Sequence, residues 1–213
     1  MKCSHSFEHY KKSLQKAINE GYVFLKMEDH KLSKNYEKVI FLRHDIDLSV
    51  KNALFFGRIE KGLGISTTYF IRVSGKYNPL FYDNYAIIKE LIDMSHEIGL
   101  HYSSDLPRIT NENRIEFFQI ERNILENIIK KKIKGVCIHT PNDDPLISDN
   151  NLHQFSLEYY AYSDIFTKNV KYISDSRSTW REGCMCKFIG KFPKLCILTH
   201  PFWWYHCASC ENY

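Results

Sequence analysis

Asp45 and Asp47 stand two residues apart at the end of Val39-Ile40-Phe41-Leu42-Arg43-His44-Asp45-Ile46-Asp47. The apolar first half of this run reads as a buried strand. Residues two apart on an extended segment point to the same face. Two carboxylates and a His, His44, on one face suit a divalent metal or a general base. In α/β folds, ligands bind beyond the carboxyl ends of parallel strands. Polar groups placed there are costly unless they pair or do chemistry. The structural alternative is a strand end followed by a helix N-cap at Asp47 or Ser49.

The same arrangement recurs along the chain. His101 and Asp105 follow Ile98-Gly99-Leu100, and His139 follows Val136-Cys137-Ile138. Asp175 and Ser176 follow Tyr172-Ile173, and His200 follows Cys196-Ile197-Leu198. His or Asp at the end of strand after strand reads as the rim of an active site. Mixed nitrogen and oxygen donors suit zinc, with cobalt, nickel or manganese as alternatives. No Gly-x-Ser-x-Gly elbow, Gly-x-Gly-x-x-Gly fingerprint or Walker loop occurs.

The elements that must position this rim follow from periodicity. Helices are expected over Phe7–Glu20, Ser49–Gly62, Asp83–His96 and Glu112–Lys132, each with an apolar stripe. Strands are expected over Tyr22–Met27, Val39–Leu42, Ser66–Val73, Gly99–Tyr102 and Gly135–Ile138. Shorter ones are expected near Tyr159–Tyr162, Tyr172–Ile173 and Cys196–Leu198. Strands alternating with helices predict βα units and a parallel sheet or barrel. Asn142–Asn151 reads as a long loop over the site.

The chain of 213 residues fits one domain, 1–213, and its 44% hydrophobic content supports a real core. The net charge of +4 is mild. The basic run Lys130-Lys131-Lys132 with Lys134 reads as a solvated helix end, so no nucleic-acid partner is expected. No membrane span is expected, and the polar N-terminus lacks the apolar region of a secretory signal, which places the protein in the cytoplasm. Seven cysteines, an odd number, argue against a disulfide framework. Cys184-Met185-Cys186 with Cys207-Ala208-Ser209-Cys210 has an unusual spacing for a four-thiolate zinc site, and reduced thiols are the favoured reading.

With these motifs in order, the chain resembles the polysaccharide deacetylase family (carbohydrate esterase family 4, the NodB-homology domain). Arg43-His44-Asp45-Ile46-Asp47 is similar to its first motif in the Asp-x-Asp form. His96-Glu97-Ile98-Gly99-Leu100-His101 resembles the second, with Asp105 where a second His is usual. His139-Thr140-Pro141 stands where an Arg-x-Pro is usual. Asp175-Ser176 with Trp180 resembles an Asp-Ser-Trp motif, and Leu198-Thr199-His200 the last one. The WbmS-like branch, encoded in O-antigen and capsule clusters, is the most similar.

The resemblance implies a distorted (β/α) barrel of about seven strands and a metal-dependent amide or ester hydrolase acting on an acylated sugar. Asp45 is then the general base, Asp47 or Asp45 a metal ligand, His101 a ligand and His200 the general acid. Asp105 or His139 completes the ligand set, and Asp175 holds His200 in its charged form. With no export signal, a nucleotide- or lipid-linked sugar made for surface polysaccharide is the expected substrate. Trp180, Trp203 and Trp204, with Phe202 and Tyr205, either stack on the sugar or pack in the core. The rival reading is a non-catalytic carbohydrate-binding or scaffold protein on the same fold.

Overall fold

The computed structural model describes residues 3–140 and 146–212. Pro141 and residues 142–145 of the expected loop lie outside the described residues.

The apolar, β-branched and aromatic runs form eight strands. They are β1 (Val23–Leu25), β2 (Val39–Ile46), β3 (Thr68–Ile71), β4 (Glu97–Tyr102), β5 (Gly135–Ile138), β6 (Tyr159–Tyr160), β7 (Lys171–Ser174) and β8 (Lys194–Thr199). The helices are α1 (Phe7–Asn19), α2 (Lys51–Gly62), α3 (Tyr82–Asp93), α4 (Leu106–Thr110), α5 (Arg114–Ile129) and α6 (Asp164–Thr167). Seven strands follow one another in the order β6-β5-β4-β3-β2-β8-β7, all pairs parallel, and β1 pairs with the start of β2. This is a curled, distorted barrel with helices outside.

Helix boundaries follow local chemistry. Ser6 caps α1 by accepting from the His9 N–H at 3.2 Å. Gly21, at φ +82°, takes the left-handed turn just past its end. Asn113 caps α5 by accepting from the N–H groups of Ile115 and Glu116. Residue Gly135 is required by a close approach, since a Cβ there would meet the Tyr159 ring at 1.9 Å. That ring's hydroxyl donates to Glu97 Oε1 at 2.6 Å near the barrel floor.

Strand β2 runs four residues beyond the expected end at Leu42, through Arg43, His44, Asp45 and Ile46. Alternation explains how it stays buried throughout. Val39 and Phe41 face a cluster inside the barrel with Phe70, Cys137, Tyr159 and Cys196. Ile40, Leu42 and Ile46 pack outward with Tyr10, Leu14 and Phe56 of the helices. Arg43 and Asp45 continue the inner series, and His44 continues the outer one. Each polar residue is then matched to a polar partner on its own face.

Candidate active site

The inner face of β2 carries the chemistry. Asp45 is 2% exposed. Arg43, fully buried, donates from Nη2 to Asp45 Oδ2 at 3.3 Å and from Nη1 to the Ala161 carbonyl at 3.0 Å. Its guanidinium also lies 4.5 Å from the Tyr162 ring centroid. The Cys137 thiol from β5 donates to the same Asp45 Oδ2 at 3.3 Å. Asp45 Oδ1 is buried and has no hydrogen-bond partner. An unpaired buried carboxylate oxygen costs free energy and so marks a position set up for a proton or a cation.

Just beyond β2, Asp47 meets the ends of three other strands. His101 Nε2 of β4 lies 2.9 Å from Asp47 Oδ1 and 4.0 Å from Asp45 Oδ2. His139, following β5, brings Nε2 to 3.9 Å from Asp47 Oδ1. His200, following β8, brings Nε2 to 3.8 Å from Asp47 Oδ2. One donor atom each from Asp47, His101 and His139 lie within 4.8 Å of one another. Asp45, His101 and Cys137 form a second such group, sharing His101.

The electrostatics suit positive charge here. Burial works against an ionised Asp47, yet the imidazoles of His101, His200 and His139 hold its carboxyl at about 2. Burial opposes a charged His101 as well, but Cys137, Asp45 and Asp47 raise its pKa well above the ordinary value. His139 is pushed the other way by burial and by the charges of His101 and Arg72. Its ring is thereby held neutral, and Nε2 accepts from Arg72 Nη1 at 3.2 Å. An oxygen donor and imidazole donors at this spacing fit a divalent metal.

His200 is paired from behind. Its Nδ1 lies 2.7 Å from Asp175 Oδ1, and its backbone N–H donates to the same carboxylate at 2.9 Å. Asp175 is fully buried, and Oδ2 accepts from Trp204 Nε1 at 2.7 Å. Burial disfavours the imidazolium, but Asp175 outweighs it and raises the His200 pKa.

Other residues singled out in the sequence sit elsewhere. His44 lies on the opposite face of β2 from Asp45 and Asp47, with Nε2 2.9 Å from Glu60 Oε1 in a bent, charge-type contact. Asp105 stands outside the donor trio. Its carboxylate pairs with Arg72 at 3.6 Å and faces His139 Nδ1 at 3.9 Å, whereas His139 itself belongs to the trio. Trp204 is fully buried under Asp175 and cannot stack on a sugar. Trp180 packs against the rings of His5 and Trp204, and Trp203 is half-buried beside Phe202. Cys207 and Cys210 are exposed and share no donor group with Cys184 and Cys186 among the described residues.

Two arginines take positions in the site to which the sequence analysis gives no role. Arg43 is two residues before Asp45, so the period-two rule already put it on the same face. Arg72 directly follows β3, as His139 directly follows β5. It donates from Nε to Ser103 Oγ at 2.8 Å and from Nη1 to His139 Nε2 at 3.2 Å.

No family model and no curated protein sequence matches the chain. Solved structures do. BC0361, a polysaccharide deacetylase from Bacillus cereus, is 17% identical with a TM-score of 0.56, over 97% of this chain and 60% of its own. The chitin deacetylase from the fungal pathogen Colletotrichum lindemuthianum is 12% identical with a TM-score of 0.55, over 91% and 83%. A mutant of BA3943 from Bacillus anthracis, a CE4 family pseudoenzyme with restored enzymatic activity, is 15% identical with a TM-score of 0.52, over 78% and 57%. This chain thus spans less than two thirds of two of these proteins. At such identities the likeness is one of fold, and that fold is the distorted NodB-type barrel of the polysaccharide deacetylases.

Proposed function

We propose that the protein is a metal-dependent hydrolase that removes an N-acyl or O-acyl group from a sugar. The observation that carries this reading is the meeting of Asp47, His101 and His139 beside the unpartnered Oδ1 of Asp45. Asp47, His101 and His139 would hold the metal. A divalent ion bound there supplies a Lewis acid for the acyl carbonyl and acidifies water. Asp45 accepts the proton of the attacking water at Oδ1, while Arg43 and Cys137 fix its other oxygen. His200, with Nδ1 engaged by Asp175, presents Nε2 as the acid for the leaving amine. Deacetylase neighbours of the same fold support a sugar substrate. The narrower reading, a small or lipid-linked sugar in cytoplasmic O-antigen or capsule synthesis, rests on the sequence resemblance. Zinc is the first choice of ion from the donor set.

A non-catalytic sugar-binding protein is the second reading, and Arg72 favours it. Its guanidinium occupies the His139 lone pair and sets a cation against the donor trio. Metal content and acetate release from an N-acetylated amino sugar decide between them. Wild type should bind metal and turn over. Asp47→Ala and His101→Ala should each lose the rim metal and at least about 10² in rate. Wild type with no rim metal and no acetate release establishes the non-catalytic reading.

A further inference from the structure

Outside the rim, Cys3, His9, Cys184 and Cys186 each bring one donor atom within 4.8 Å of the others. They come from three places in the chain. Cys3 lies in the N-terminal segment, and His9 is a buried residue of the first turn of α1. Cys184 and Cys186 flank Met185 on a tight turn of 3-10 helix that begins after Gly183, whose φ of +118° turns the chain there. We propose that this cluster is a structural zinc site with three thiolates and one imidazole, distinct from the rim.

The distances agree with one ion. Two thiolates about 2.3 Å from a tetrahedral zinc stand about 3.8 Å apart. Cys3 and Cys186 sulfurs are 3.6 Å apart, far beyond the 2.05 Å or so of a disulfide. His9 Nε2 is 3.1 Å from Cys184 Sγ. The donor set is one that structural zinc sites use. Binding displaces the three thiol protons, leaving a site of net charge about −1. Lys16 is placed to offset it: Nζ donates to the carbonyls of Cys186 at 2.9 Å and Ile189 at 3.0 Å.

Such a site has something to hold. Among the described residues, the segment before α1 forms no strand, and Ser6 makes an isolated bridge to Tyr205. His5 lies edge-on to Trp204 at 5.1 Å between ring centroids, and Trp204 donates to Asp175. An ion joining Cys3 and His9 to the Cys184–Cys186 turn pins this segment beneath the residues that orient His200.

The test uses the full chain, purified under reductant with zinc, in the Asp47→Ala/His101→Ala background. That background removes the rim site, so failure of the proposed function and failure of this site are read separately. The protein should keep about one zinc per chain. Cobalt in its place should give a thiolate-to-cobalt charge-transfer band. A thiol-specific mercurial should release the zinc, a readout that needs no further variant. Adding Cys184→Ser and Cys186→Ser should abolish the band, whereas Cys207→Ser/Cys210→Ser should leave it. The proposal fails if the background protein binds no zinc, if the metal departs with Cys207 and Cys210, or if Cys3 and Cys186 are found disulfide-bonded under reductant.

Discussion

His44 and Asp45 are neighbours on β2 and equally shut off from solvent, yet they belong to opposite kinds of polar cluster. On the helix face, His44 reaches Glu60, whose carboxylate also accepts from Tyr10, from Thr67 at 2.8 Å and from Tyr69 at 2.7 Å. Each Glu60 oxygen there meets two groups, Oε1 the His44 imidazole and the Tyr10 hydroxyl, Oε2 the hydroxyls of Thr67 and Tyr69. On the barrel face, Asp45 has one oxygen held by Arg43 and Cys137 and the other unpartnered. A satisfied buried network specifies the packing, while an unsatisfied atom is kept at a cost that chemistry can justify. The difference between the faces separates scaffold from site more sharply than residue type does, since both clusters pair a carboxylate with an imidazole.

The comparison breaks first at Asp45. Asp45→Asn is nearly isosteric, keeps a carbonyl oxygen toward Arg43, and cannot accept a proton. It should lower amide turnover by about 10³ to 10⁴, at the upper range for general-base loss, while rim metal content stays near wild type. Metal analysis beside the rate decides it. Metal lost in proportion to activity would make Asp45 a ligand.

His200 sharpens the same contrast, because its pair with Asp175 is buried like the Glu60 cluster but its Nε2 faces the rim, 3.8 Å from Asp47 Oδ2. His200→Ala should cost about 10² on an amide and much less on an activated ester, whose leaving group needs little protonation. Equal loss on both substrates would return His200 to a packing role.

How far this was legible in the sequence depends on what each residue touches. The period of two assigned Asp45 and Asp47 to one face, and the polar strand ends marked His101, His139, Asp175 and His200. The same period places His44 on the other face, against the expectation that it shares the face of the two carboxylates. In the sequence β2 ends at Leu42, because a run of Arg, His and Asp looks exposed until its partners are known, whereas in the structure it continues to Ile46. Those partners are distant in the chain: Arg43 needs Ala161, and His44 needs Glu60. The aromatic run Phe202-Trp203-Trp204 was ambiguous for the same reason, since only Asp175 tells Trp204 which way to face. Arg72 obeys the strand-end rule too, but an arginine at a strand end offers neither a metal ligand nor a base and so carries no signal of its own.

The smallest effect on activity and the clearest on stability should come from Glu60. Burial alone would raise its pKa from the ordinary 4.5, but the imidazoles of His44 and His96 and the Tyr10 hydroxyl outweigh it and hold the group at about 2. A folded-state pKa below the unfolded one contributes stability that is fully present above about 4.5 and is lost as pH falls through about 2. The gap corresponds to about 3 kcal/mol at neutral pH, there being no exposed surface to screen it. Glu60→Gln turns one acceptor into a donor facing hydroxyls and imidazoles that already donate. Its free energy of unfolding at pH 7 should drop by about 3 kcal/mol relative to wild type. That deficit should shrink toward zero as denaturant titrations are moved from pH 4.5 to pH 2. Turnover of the folded variant at pH 7 should stay within about tenfold of wild type, because Glu60 touches none of the rim residues and offers no group for acid–base catalysis there. A deficit that stays constant across that acid range would show that the Glu60 cluster does not carry its stability as charge. A collapse of turnover with the fold intact would show that the two faces of β2 are not independent.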